Sequence, residues 1–232
     1  MNKIKELLQN EDNAEKIRDG IAAILKIELE NQKKLADDLN IEDKKDYDIN
    51  VFIENSRPWE LASGEKYPFP LVNVSLQETN EDAGKPGPAV GNIKYTGTFY
   101  IDCYGCGNYQ PITPGKNKTY IPDDSLATKR AWKTARVVRN ILMSGFYVYL
   151  GLQGVITRRR ITKIVTMVPA GLDTSAYTIT VCRIYFDVDF FEKSLEGTGV
   201  YFEGITFKSD DVGKVNLIDI ITDNVKENKQ KE

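Results

Sequence analysis

The chain carries a C-x-x-C motif, Cys103-Tyr104-Gly105-Cys106, and one further cysteine, Cys182. Two cysteines at this spacing can form a redox pair or supply half of a zinc site. A zinc site needs two more ligands, and the sequence offers only Cys182 and no histidine. A redox pair usually opens a helix, whereas a loop rich in Gly, Asn and Pro follows this motif. We therefore interpret the pair as incidental thiols where a strand ends, and we expect free cysteines.

The segment Gly115-Lys116-Asn117-Lys118-Thr119 superficially matches part of a phosphate-binding loop. It lacks the earlier glycine of the G-x-x-x-x-G-K-[ST] motif, and the first lysine is followed by Asn117 rather than Ser or Thr. No helix is predicted to start at this point. The segment is therefore predicted to be an ordinary loop.

Three carboxylates, Asp102, Asp187 and Asp189, fall on predicted strands. Asp187 and Asp189 share one strand face at a period of two, so they could bind a metal or perform acid–base chemistry. A solvated face opposite the apolar face of the same strand is the simpler interpretation. The absence of histidine removes the commonest general base and the commonest metal ligand. We therefore predict a protein that is not an enzyme and has no cofactor or metal.

Basic residues concentrate in the middle of the chain. Residues 123–163 hold nine Lys and Arg against two Asp, although the net charge of the whole chain is −3. Residues 1–60 show the opposite balance, with fifteen acids against ten bases. The charges that we single out lie on a predicted helix and on a predicted strand: Lys129, Lys133, Arg136, Arg158 and Arg160.

These five charges could form one basic patch, because Arg158 and Arg160 project to the same side of a strand. The patch could be an ordinary solvated face. It could also face a nucleic acid, or contact an acidic surface on another subunit. The acidic N-terminal region and the acidic loop at residues 78–91 are candidates for that surface.

Two stretches have the periodicity of amphipathic helices. Residues 13–39 repeat apolar side chains at i, i+4, i+7 and i+8, and residues 11–13 supply an N-cap. Residues 123–143 predict a second helix, with Trp132 on its buried face and Gly145 at its end.

Alternating apolar residues, together with aromatic and β-branched residues, predict five strands. Their expected bounds are 47–53, 71–76, 92–104, 152–168 and 177–191. The order is one helix, three strands, a second helix and two strands. This order predicts an α+β fold with an antiparallel or mixed sheet and both helices packed on one face.

The last part of the chain differs from the rest. Residues 1–191 are predicted to form the α+β domain, and residues 192–232 a C-terminal extension. The extension is expected to contain short strands at 199–207 and 215–221, followed by a disordered polar tail. The chain has no run of about 18 apolar residues and no signal peptide, so no membrane association is expected.

The order of these elements and the residue patterns within them resemble those of the neck and tail-completion proteins of tailed bacteriophages, the tail terminators in particular. The resemblance covers roughly residues 14–191. Three segments carry it most clearly. They are the strand end FYIDCYG at residues 99–105, the A-x-x-R-A-W-x-x-A-R-x-V-R-N-I-L helix at residues 127–142, and the hairpin end RIYFDVDF at residues 183–190.

The resemblance implies a structural virion protein without an active site. Such proteins form a ring, typically hexameric, at the head-proximal end of the tail, where it stops growth of the tail tube and joins the head connector. The implied partners are further copies of the chain, the tail tube protein, the head connector or stopper protein, and DNA that crosses the lumen without sequence readout. The implied location is the neck or tail of the virion, after assembly in the host cytoplasm.

Within such a ring, the five candidate charges would lie at subunit interfaces or in the lumen. The long strands at 92–104 and 177–191 would serve as edges that pair between subunits. Alternatives from the sequence are another neck component, such as a stopper or tail-completion protein, and a small nucleic-acid-binding module that uses residues 123–163. An enzyme that relies on Asp187 and Asp189, or on the cysteine pair, is a further alternative.

Overall fold

A computed structural model describes residues 12–42, 44–58, 60, 70–81, 92–107, 110–111, 120–121, 124–169 and 178–193. It contains two long helices, α1 (Asn13–Asp38) and α2 (Asp124–Leu142). Short 3-10 turns cover Lys44–Tyr47 and Gly145–Tyr147. The strands are β1 (Asn50–Ile53), β2 (Leu71–Glu81), β3 (Asn92–Gly107), β4 (Gln110–Pro111), β5 (Tyr120–Ile121), β6 (Ile156–Met167) and β7 (Thr178–Lys193).

Five strands form one mixed sheet in the order β1-β2-β3-β7-β6, and β4 pairs with β5 separately. Only β1 and β2 run parallel; the other neighbours in the large sheet are antiparallel. The predicted α+β fold with a mixed sheet is confirmed. The prediction that the strands starting near residues 92 and 177 are edges is wrong, because β3 and β7 are neighbouring strands in the interior of the sheet. The edges are β1 and β6.

Both helices cover the apolar side of the sheet. The strand register places Val74, Ile101 and Ile184 in one row across β2, β3 and β7, with Phe99 and Phe186 in the next row. All five side chains are buried in one core with the apolar faces of the two helices. α1 packs on β1 and β2, and α2 packs on β3 and β7. Neither helix could span a membrane.

The start of α1 is held by a residue from the far end of the domain. The Glu192 carboxylate accepts hydrogen bonds from the backbone N–H groups of Asn13 and Ala14. The Asn13 side-chain amide donates to the carbonyl of Phe191 at 2.7 Å. Asp12 lies at the N-cap position but makes no side-chain capping bond, so the predicted local cap is not used. The negative charge of the carboxylate also interacts favourably with the positive end of the helix dipole.

Several predicted element ends move by a few residues. β1 begins at Asn50, because a 3-10 turn occupies residues 44–47. β2 continues to Glu81, so the loop predicted from residue 78 begins later. β3 continues to Gly107 and contains the whole C-x-x-C motif. Residues 194–232, with both short strands predicted for the C-terminal extension, lie outside the described residues.

Gly105 permits a close approach between α2 and the sheet. A Cβ atom at this position would lie 2.3 Å from the Ala127 carbonyl oxygen and 2.4 Å from the Ala131 nitrogen. Both atoms belong to the backbone of α2, which cannot relieve the clash by a change of rotamer as a side chain can. A residue without a Cβ is therefore required beneath the first half of α2.

We expect Gly105→Ala to lower the free energy of unfolding by about 1–3 kcal/mol, because α2 must shift away from β3. Denaturant titration measures this change. Gly145→Ala is the matched control, since a Cβ there meets nothing within 4 Å, and its effect should stay within about 0.5 kcal/mol. Equal stability of the two variants would contradict the close packing of α2 on β3.

Candidate functional site

The three cysteines contribute to the core and do not form a reactive site. Cys103 and Cys182 are register partners in the central strands and are fully buried, and Cys106 is buried near the end of β3. All three thiols are free. Burial raises the pKa of Cys106 to about 11 and that of Cys103 well above its ordinary value. Neutral thiols of this kind are weak nucleophiles at neutral pH.

The predicted strand carboxylates lie on the side of the sheet that faces away from the helices, and each is already engaged. Arg183 donates two hydrogen bonds of 2.7 Å to Asp102. Arg160 donates to Asp187 at 3.2 Å, and the Thr98 hydroxyl donates to the same carboxylate at 3.1 Å. These bonds run between neighbouring strands and stabilise the sheet.

Asp189 is held in the same way. It accepts a hydrogen bond of 2.9 Å from the Thr96 hydroxyl, and the Lys94 ammonium lies 3.9 Å away. Within the ranges that the structure covers, no three Cys, Asp or Glu side chains come together as a metal site. The carboxylates therefore form a row of cross-strand contacts on this face.

The five candidate charges fall on two opposite sides of the sheet. Lys129, Lys133 and Arg136 line a groove on the helix side. Arg158 and Arg160 lie opposite two aspartates of β7 in the register, on the side away from the helices. The single basic patch considered from the sequence does not form. A nucleic-acid site that combines the helix and strand charges therefore loses its geometric basis.

The groove on the helix side lies between α2 and β6, is open to solvent and has a volume of about 430 Å³. We call it the α2–β6 groove. Trp132 lines it and is 43% exposed, so the prediction that this side chain lies on the buried face of the helix is wrong. The described residues that line it are cationic or apolar: Lys129, Trp132, Lys133, Ala135, Arg136, Arg139 and Ile164.

The charges of the α2–β6 groove are only partly neutralised. The Lys133 ammonium lies 3.0 Å from the Asp46 carboxylate and 4.6 Å from the centre of the Tyr47 ring. Lys129 and Arg136 are exposed, and no carboxylate among the described residues forms an ion pair with either of them. The groove therefore presents positive charge around an apolar floor, which favours an anionic partner with apolar side chains.

A second surface lies where α2 ends. We call residues 143–149 the exposed turn. Phe146 is 93% exposed, and three other large apolar side chains of the turn are also exposed: Met143, Val148 and Tyr149. The sequence prediction misses this surface. The apolar run from Phe146 to Leu150, directly after Gly145, is the signal that could identify it.

The exposed turn is held in a fixed position. The Arg159 guanidinium donates hydrogen bonds to the carbonyls of Leu142 and Ser144 and so satisfies the end of α2. The Tyr147 hydroxyl donates to the Glu28 carboxylate of α1. Burial lowers the pKa of Arg159, and burial together with Glu28 raises the pKa of Tyr147. The turn therefore presents its apolar side chains from a base that is hydrogen-bonded to β6 and α1.

Comparison with known proteins adds no relative from which a role could be transferred. No protein-family model matches the chain, and no curated protein matches it significantly. The geometry of the α2–β6 groove and the exposed turn is therefore the basis for a functional proposal.

We expect the thiols of the native protein to react slowly with Ellman's reagent at pH 8 and all three to react at once after denaturation. Reaction of one thiol in the native state at the rate of free cysteine would contradict their burial.

The raised pKa of Cys106 also predicts that the stability of the protein depends on pH. The contribution of its neutral thiol to stability is complete below pH 9 and is lost as the pH rises through about 11.

We expect Arg159→Met to lower the free energy of unfolding by about 1–3 kcal/mol, because the Leu142 and Ser144 carbonyls lose the guanidinium donor. Among the described residues, the Ser144 carbonyl then keeps only the Tyr147 N–H. Arg158→Met removes the same charge from the neighbouring exposed position and should change stability by less than about 0.5 kcal/mol. Thermal and denaturant unfolding measure both effects. Equal effects of the two substitutions would show that Arg159 does not hold the exposed turn.

Proposed function

We propose that the protein is a structural subunit of the neck of a tailed bacteriophage. In this proposal it forms a ring at the head-proximal end of the tail, which terminates the tail tube and joins it to the head connector or stopper. The exposed turn is the observation that carries the proposal. An exposed apolar surface of this kind, with one side chain 93% exposed, is a feature of proteins that bind other proteins.

Self-association is also supported by exposed apolar side chains that lie outside the exposed turn. Leu35 is 48% exposed and Leu39 is 64% exposed at the end of α1, and Ile53 is exposed on edge strand β1. Contact between two different surfaces of the same chain is heterologous, and a heterologous contact closes into a ring when its rotation allows. The exposed turn and these positions supply such non-equivalent surfaces.

A structural role, rather than catalysis, is also supported by the state of the reactive side chains. The buried thiols have raised pKa values, and the carboxylates of the outer sheet face pair with Arg183, Arg160 and threonine hydroxyls. The exposed Arg158 remains as a positive charge on that face. In the ring, charges of this kind would meet the DNA in the lumen through its phosphates, without sequence readout.

We expect Phe146→Ser to weaken self-association by roughly tenfold or more, because it removes a large apolar side chain from a proposed interface. Size-exclusion chromatography with light scattering measures the oligomer mass over a range of concentrations. The stability of the single chain should change by less than about 0.5 kcal/mol, since this side chain is exposed.

Val168→Ser is the matched control, because Val168 is 72% exposed but lies outside the exposed turn. This variant should assemble like the wild type. If the wild type remains a monomer at every concentration, or if the two variants assemble equally well, the exposed turn is not the assembly surface.

A further inference from the structure

The free edge of β6 borders the α2–β6 groove. β6 is the last strand of the sheet, and within the described part of the chain only β7 pairs with it. Ile164 of β6 lines the groove together with Trp132 of α2. A strand added to this edge would therefore extend the sheet and cover the groove.

The charges of this site restrict the kind of strand that it can accept. β6 contains three Arg, one Lys and no acidic residue. Charged side chains on a long edge strand prevent unwanted pairing with other chains. Here all the charges are positive, and the groove beside them is lined by further cations around Trp132, Ala135 and Ile164. The site therefore favours a strand that is apolar and acidic and repels a basic one.

The chain itself contains a segment of this chemistry. Residues 215–223, VNLIDIITD, hold five Val, Leu and Ile residues and two Asp, and they hold no Lys or Arg. Residues of these apolar types favour extended structure. Residues 194–214 separate the segment from the end of β7 and can span up to about 70 Å when extended. The segment can therefore reach a neighbouring molecule.

We propose that residues 215–223 of one copy add to the edge of β6 in a neighbouring copy and lie across its α2–β6 groove. The inference rests on the proposed self-assembly and names one of its contacts. We assign the occupant to another copy because the proposed self-assembly brings copies into contact and residues 194–214 are long enough to reach between them. In this arrangement Asp219 and Asp223 meet the cations of the site, while isoleucine side chains cover Trp132.

A mixing experiment with full-length chains tests this contact. The chain has two tryptophans, so Trp59→Phe leaves Trp132 as the only one. The acceptor chain carries Trp59→Phe together with Ile218→Asp and Ile220→Asp, which destroy its own strand. The donor chain keeps residues 215–223 intact and carries Trp59→Phe and Trp132→Phe. Acrylamide quenching of Trp132 fluorescence in the acceptor is measured as the donor is titrated.

We expect the donor to shield Trp132 from acrylamide in a saturable manner. Asp219→Lys with Asp223→Lys in the donor should weaken this binding by roughly tenfold or more, because attractive pairs become repulsive. Glu227→Lys with Glu232→Lys is the control, since it makes the same change in charge outside the segment and should leave the shielding intact. If the two double substitutions weaken the shielding of Trp132 equally, the proposal is overturned.

Hydrogen exchange supplies a second readout that does not depend on Trp59→Phe. In each chain the β6 amides bonded to β7 are protected. The β6 amides that point away from β7 should be protected in the assembled wild type and unprotected in a chain that carries only Ile218→Asp and Ile220→Asp. Equal protection in both would show that something other than residues 215–223 covers the edge, and would overturn the proposal.

Three further outcomes distinguish a failure of this inference from a failure of the proposed function. If Trp132 is shielded at dilutions where light scattering shows a monomer, residues 215–223 bind the groove of their own chain. The proposal that they bind a neighbouring copy is then overturned. If the donor leaves Trp132 unshielded while light scattering shows a closed oligomer, the contact is wrong but the ring stands. If the wild type neither assembles nor shields Trp132, both proposals fail.

Discussion

The antiparallel pairing of β3 with β7 is the constraint on which the rest of the structure depends. Each strand is sixteen residues long, and the two pair over their whole length. This pairing aligns one apolar row towards the helices and another row away from them. The second row, here called the charged row, also contains the buried Tyr104 and Val181. It also positions Glu192, near the end of β7, where its carboxylate caps α1. A slip of one residue would exchange the two rows and remove both the core and the cross-strand ion pairs.

The central strands also determine which side chains remain for function. Cys103 and Cys182 lie in the apolar row, and Asp102, Asp187 and Asp189 lie in the charged row, so the sheet itself occupies them. Among the described residues, the surfaces available for contact with a partner lie at the margins of the helix layer. The exposed turn and the α2–β6 groove are such surfaces, and both are suited to contact with another chain. For this reason we favour assembly over catalysis as the role of the protein.

The fold class follows from the sequence because its signals are local. Periods of 3.6 and 2.0 residues identify both helices and all five strands of the main sheet, within a few residues at most ends. The order of the strands in the sheet is not a local property, and this is why β3 and β7 were predicted as edges. The cap on α1 is equally non-local, since Asn13 and Glu192 are separated by most of the chain.

The candidate site is less predictable for a related reason. Helical spacing shows that Trp132 is near the apolar face of α2, but it does not show where the sheet beneath the helix ends. Ala127, Ala131 and Ala135 take the buried positions, and α2 packs closely above Gly105. Trp132 is left at the flank of the helix, beside β6. Likewise, the spacing of the five candidate charges does not reveal that the sheet separates them.

Electron microscopy of the purified full-length protein tests the central claim most directly. The account predicts closed rings with a central hole, in which residues 143–149 of each subunit contact the next one. Particles that remain single subunits at high concentration, and that leave the ends of purified tail tubes uncapped, would contradict it.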